Sequence, residues 1–173
     1  MWTEEKLNHL LTTPSEELVA DIKKLNGDIM ILGAGGKMGP TLAVLAQNTI
    51  YKAGLNHRVI AVSRFNDPLV VDYLRENNVH MVSTDLLAPN GLKNLPDVEN
   101  IIFMAGKKFG TEGNECFTWA MNTWLPVKVV ERFPSSRFVV FSSGNLYPQV
   151  NTSSGGATEE TRTSPIGEYV MSC

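Results

Sequence analysis

From Gly27 onward, short runs of β-branched and other apolar residues alternate with longer segments whose apolar positions recur every three or four residues. Asp28–Leu32, Arg58–Val62, Val79–Ser83, Asn100–Met104 and Arg137–Phe141 read as strands. Lys37–Ala53, Pro68–Glu76 and Glu115–Arg132 read as the helices between them, with Gly54 as the stop after the first. Strand-helix alternation of this kind builds a parallel sheet. Runs as apolar as Ile29-Met30-Ile31-Leu32 and Phe138-Val139-Val140-Phe141 predict strands buried on both faces. The expected fold class is α/β, an open, doubly wound parallel sheet whose ligands sit at the carboxyl ends of the strands.

Residues 1–26 precede this pattern as a helical prefix, with Leu7, Leu10 and Leu11 and then Leu18, Val19, Ile22 and Leu25 at helical spacing. Thr13 is the expected cap of the second of these helices. Pro14 suits its first position, and Glu16 can reach back to the cap. Such an apolar stripe needs a surface to cover, so the prefix is expected against the main domain, residues 27–173, or against a second subunit.

Composition narrows the partners. Of 173 residues 43% are hydrophobic and 19% charged, the balance of one globular domain with a sizeable core. The 15 Lys and Arg against 18 Asp and Glu give a formal charge of −3, with no basic block to follow a phosphate backbone or an anionic membrane. Nucleic acid and membrane are therefore not expected partners, and the acidic, polar start Met1-Trp2-Thr3-Glu4-Glu5 makes the cytoplasm the default location. Two cysteines, Cys116 and Cys173, offer neither a disulfide framework nor a metal-ligand cluster.

The densest signal follows the first strand: Gly33-Ala34-Gly35-Gly36-Lys37-Met38-Gly39-Pro40, a glycine-rich turn leading into a helix. Glycines let the backbone approach a pyrophosphate, and the helix start presents N–H groups and the positive end of its dipole to the anion. A tight structural turn is the alternative. The spacing Gly33-x-x-Gly36-x-x-Gly39, with Met38 where the commoner dinucleotide pattern has its last glycine, is joined by further marks in order. These are Asp85-Leu86, Met104-Ala105-Gly106, Asn122 and Phe141-Ser142-Ser143-Gly144-Asn145-Leu146-Tyr147-Pro148.

Over residues 28–173 this set resembles the extended short-chain dehydrogenase/reductase family, which includes nucleotide-sugar epimerases and dehydratases. The resemblance implies a Rossmann-like sheet of strand order 3-2-1-4-5. It also implies that Gly33, Gly36 and Gly39 line the pyrophosphate, with Gly35, Lys37 and Met38 in the same turn. Asp85 would accept from the adenine amine while Leu86 packs on the ring, unless Asp85 is a plain turn cap. Ala105, Gly106 and Lys107 complete the cofactor set, and Asn122 either organises the active site or makes an ordinary structural bond. Where a carboxylate would hold the ribose hydroxyls of NAD, this chain has Ser63-Arg64; a hydroxyl and a guanidinium suit a 2′-phosphate, which favours NADP over NAD. Arg64 reaching solvent or stacking on adenine would suit either cofactor.

In the family a Ser or Thr, a Tyr some two dozen residues later and a Lys four beyond it form the acid/base unit. Ser143 and Tyr169 match the first two, and the third position is Cys173. Tyr147 matches a position that is usually structural. Thr163-Ser164-Pro165 predicts the start of the helix that carries 169 and 173 on one face. A phenol in water ionises near pH 10, so acting as a base near neutrality takes about 4 kcal/mol of preferential phenolate stabilisation, which a thiol does not supply. Lys107 or Lys108 is the expected substitute cation, a solvated pair being the plainer reading.

The resemblance further implies a homodimer and a longer protein, since family members continue past the helix at which this chain stops. Substrate identity would lie mainly in that continuation. Ser153–Gly156 reads as a loop over the active site that could serve as a lid, and Trp119 and Trp124 read as core or subunit contacts. Two functions fit. One is hydride transfer on a hydroxyl-bearing small-molecule substrate such as a nucleotide sugar, as an epimerase, dehydratase or dehydrogenase. The other is a dinucleotide-binding sensor or scaffold without catalysis.

Overall fold

A computed structural model describes residues 3–173; Met1 and Trp2, the first residues of the acidic N-terminus noted above, lie outside it. Five strands, β1 (Ile29–Leu32), β2 (Val59–Ser63), β3 (His80–Ser83), β4 (Asn100–Phe103) and β5 (Arg137–Val140), form one sheet. Its order is β3-β2-β1-β4-β5 and every pairing is parallel, in agreement with the expected doubly wound topology.

The pleat sends alternate residues to opposite faces. Met30, Leu32, Ile60, Val62, Ile101 and Phe103 meet Leu125, Val129 and Phe133 on one face. Ile29, Ile31, Val59 and Ala61 meet Ala43, Val44, Ile50 and Leu74 on the other. Helices α3 (Gly39–Lys52) and α4 (Pro68–Glu76) supply the second layer. The first layer comes from α5 (Glu115–Trp119), a π-helical turn (Ala120–Trp124) and α6 (Leu125–Arg132), continuous with one another. β1, β2 and β4 are buried as their apolar runs imply. β5 is not: Val139 and Val140 are 60% and 59% exposed, because the strand is paired on one side only and no described helix covers it.

The prefix forms α1 (Glu4–Thr12) and α2 (Glu16–Ile22). Ser15, not Thr13, caps α2 by accepting from the Leu18 N–H, so Pro14 precedes the cap instead of opening the helix. α2 buries Val19 and turns Leu18 and Ile22, joined by Leu25 just after the helix, into an apolar groove of about 480 Å³ shared with α3, β4 and β5. The stripe of α1 behaves otherwise. Its hold on α3 is partly polar, Asn48 Nδ2 donating to the Thr12 carbonyl, and Leu7, Leu10 and Leu11 face solvent. Trp119 and Trp124 also stand exposed, so neither belongs to the core of this chain.

The last helix, α7 (Glu168–Ser172), begins later than the Thr163-Ser164-Pro165 signal suggests. Ser164 instead donates its N–H to the Leu146 carbonyl, which holds that segment extended beside the turn Gly144–Leu146. No helix among the described residues is long and apolar enough to cross a membrane, and no group of His, Cys, Asp or Glu there could hold a metal ion.

Candidate functional site

Two cavities open along the carboxyl ends of the strands and share Met104, Ala105 and Gly106 as a common wall. Where β1 and β4 both lose their chain to opposite sides of the sheet, a crevice forms between the departing segments. The glycine turn sits there.

Each glycine of the turn has a different reason to be one. Gly33 has φ +90°, and a Cβ on it would stand 2.6 Å from the Ala105 nitrogen, so the turn can lie against the end of β4 only without a side chain. A Cβ on Gly39 would strike the Ala34 backbone, which lets the start of α3 press onto the turn. Gly35 makes room for the Ser63 hydroxyl. Gly36 is different: its only neighbour within 4 Å of a Cβ is the Gly33 carbonyl, at 3.6 Å, so the fold itself does not need glycine there. Met38 caps α3 without a side-chain hydrogen bond and Pro40 occupies the first turn, leaving the helix start uncovered by side chains of its own cap.

The first cavity, about 340 Å³, is lined by Gly33, Gly35 and Gly36 on one side and by Ser63, Arg64, Asp85 and Leu86 on others. Asp85 Oδ1 accepts from the Leu87 N–H, the turn-capping role, while Leu86 is buried with its edge on the cavity. Phe65, Asn66 and Asp67 also line it, as do Val70, Thr84, Phe117 and Met121, and none of these was legible in the sequence. Phe65 adopts φ +47°, a conformation bulky residues avoid, so propensity points away from it. Asp67 caps α4 by accepting from the Leu69 N–H.

The second cavity, about 410 Å³, gathers Ser143, Tyr169 and Cys173 with Met38, Lys108 and Asn122. Ser143 lies after β5 and accepts from the Asn145 N–H. Tyr169 and Cys173 stand one turn apart, the Cys173 N–H donating to the Tyr169 carbonyl. Lys108 is the one cationic side chain on this wall. Lys107 turns away, its Nζ 5.9 Å from the centre of the Phe117 ring. Lys37, Gly39 and Lys107 line neither cavity, and Tyr147 ends the short turn Gly144–Leu146 without reaching one. Ser153–Gly156 is an exposed loop with a left-handed Gly155.

Asn122 lies in the π-helical turn. Pro126, four residues on, lacks an N–H and its ring would collide with the Asn122 carbonyl in a regular helix; the wider turn relieves that clash, and Leu125 donates to Ala120 instead. The side chain thereby faces the loop after β4. Its Oδ1 accepts from the Lys107 N–H at 2.7 Å, and its Nδ2 donates to the Lys107 carbonyl at 3.0 Å and to Ser172 Oγ at 2.9 Å.

No protein-family model and no curated protein matches the chain. Solved structures do. An ADP-L-glycero-D-manno-heptose-6-epimerase of Helicobacter pylori superposes with TM-score 0.71 at 19% identity, over 92% of this chain and 50% of that one. A UDP-glucuronic acid 4-epimerase of Bacillus cereus, in complex with NAD, gives 0.64 at 18% over 84% and 48%. RMD of Pseudomonas aeruginosa, complexed with NADPH, gives 0.57 at 20% over 84% and 45%. This chain thus spans about half the length of each of these three matched structures. At these identities the likeness is one of architecture: the protein shares the Rossmann-like α/β fold of these two epimerases and of RMD.

Proposed function

We propose that the chain is the dinucleotide-binding part of an extended short-chain dehydrogenase/reductase acting on a hydroxyl-bearing substrate such as a nucleotide sugar. The observation that carries this reading is the pair of cavities joined along Met104–Gly106, one walled by the glycine turn and the other by Ser143 and Tyr169. The residues fit a dinucleotide. Gly36, whose side-chain position the fold does not fill beyond one contact with the Gly33 carbonyl, would let a phosphate approach the backbone, and the start of α3, without a side-chain cap, offers N–H groups to an anion. Ser63 and Arg64 would hold the adenosine ribose and its substituent, and Asp85 keeps one oxygen outside its turn bond for the adenine amine. When bound, a nicotinamide dinucleotide supplies a hydride acceptor or donor.

The chain's own residues handle the proton. Tyr169 takes it from the substrate hydroxyl, and Ser143 donates a hydrogen bond to the oxygen as it becomes a carbonyl. Cys173 puts a thiol where the family has its lysine, and Lys108, which lines the same cavity, supplies the positive charge in its stead. Ser63 and Arg64 favour NADP, because a guanidinium offers a 2′-phosphate paired charge-assisted bonds.

Titration of the full chain with NADP⁺ and NAD⁺, followed by tryptophan fluorescence, tests the binding. Saturable association is expected with both, tighter for NADP⁺, and Arg64→Ala is expected to abolish the preference. Absence of saturation with either coenzyme sinks the reading. Turnover at 340 nm with a panel of sugar nucleotides separates catalysis from sensing: binding without turnover in the complete protein supports the sensor.

A further inference from the structure

Asn122 has one acceptor and two donors on its amide, and all three are engaged: one pair on the two backbone groups of Lys107, the last donor on Ser172. The approach to Lys107 depends on Gly106, since a Cβ there would stand 3.2 Å from Asn122 Oδ1, tight enough to push the amide back. Ser172 is 4% exposed, and its hydroxyl is equally committed. It accepts from Asn122 and donates to the Tyr169 carbonyl at 2.8 Å, so the bonds run in one direction from the loop after β4 to the residue on which the acid/base reading rests. Two further ties hold α7 to the same stretch: Thr123 Oγ1 donates to the Ser172 carbonyl, and Trp119 Nε1 donates to Glu168. The segment before α7, residues 148–167, is exposed almost throughout and offers it no comparable support.

We propose that Ser172 is a positioning residue: its buried hydroxyl, clamped between Asn122 and the Tyr169 carbonyl, sets Tyr169 in the second cavity and couples it to the cofactor loop 105–107. The proposal rests on the functional reading for the role of Tyr169, but its test does not. Full chain labelled with 3-fluorotyrosine carries four tyrosines, and the ¹⁹F signal of Tyr169 is the one missing from Tyr169→Phe. In Ser172→Ala that signal is expected to shift toward the value of free fluorotyrosine while those of Tyr51, Tyr73 and Tyr147 stay in place. Ser172→Thr, which keeps the hydroxyl, is expected to hold it at the wild-type position.

A Tyr169 signal unchanged in Ser172→Ala overturns the proposal. So does a common movement of all four signals, which marks a merely structural loss, or a threonine variant displaced as far as the alanine one. Wild type that binds neither coenzyme defeats the functional reading and leaves the fluorine result to decide the positioning role by itself.

Discussion

Gly33 and Gly36 belong to one motif yet answer to different forces, and substitution separates them. A Cβ at Gly33 meets the backbone of Ala105 in a left-handed conformation, so Gly33→Ala is expected to destabilise the fold by roughly 2–3 kcal/mol, a fall of about 4–12 °C in thermal midpoint. Gly36→Ala meets only the Gly33 carbonyl, at ordinary van der Waals distance, and is expected to leave the midpoint unchanged while weakening coenzyme binding at least tenfold; calorimetry and fluorescence titration read the two effects. Asp28 illustrates charge at the same scale. Burial pushes its carboxyl up, but Arg58, through its backbone N–H, its guanidinium bonds and its charge, together with His57, pulls it net below the usual carboxylate range. The folded state therefore holds the anion better than the unfolded one. That stabilisation is complete above about pH 4 and is lost as pH falls through the lowered folded value. Asp28→Asn is expected to cost about 2 kcal/mol at pH 7 and to flatten the acid side of the stability profile in urea melts.

The π-helical turn shows how an element can be dictated by one residue and used by another. Pro126 forces the widening, and the widening aims Asn122 at Lys107 and Ser172. Pro126→Ala restores the missing N–H, and a regular helix from Glu115 to Arg132 is expected to follow, with slowed hydrogen exchange around residue 126. The rotated Asn122 then loses Ser172, so turnover is expected to fall at least tenfold although the helix gains stability. The turn after β2 is built by a comparable conflict. Phe65 sits in a left-handed conformation costing about 1 kcal/mol or more, and by doing so carries Asn66 and Asp67 onto the wall of the first cavity.

The sheet as a whole is protected unevenly. β1, β2 and β4 are sealed between two helical layers, whereas β5 offers an unpaired edge and exposed valines beside the apolar groove under α2. Unpaired apolar edges template association. Val139→Lys is expected to delay heat-induced light scattering with the thermal midpoint nearly unchanged, since Val139 is 60% exposed and contributes little to the core. A ligand held across the whole carboxyl edge acts on global stability. At a hundredfold excess over its dissociation constant, a coenzyme is expected to add about 2.7 kcal/mol, or roughly 5–10 °C, measured by differential scanning.

Periodicity and glycine spacing were enough to read the five strands, their doubly wound arrangement and the turn from Gly33 to Gly39, because each depends on local chain geometry and the burial of regularly spaced side chains. Ser63 and Arg64 could be picked out by their place after a strand, whereas Asp85, Leu86, Ser143, Tyr169 and Cys173 were singled out by the family resemblance; all seven line one of the two cavities. Contacts between distant segments left no such mark. The exposure of β5 and of the α1 leucines, the placement of Lys108 and not Lys107 on the second cavity, the left-handed Phe65 and the bond from Asn122 to Ser172 all depend on packing that local sequence does not record. Those features arise from packing, where the space around a side chain is set by every element that meets there.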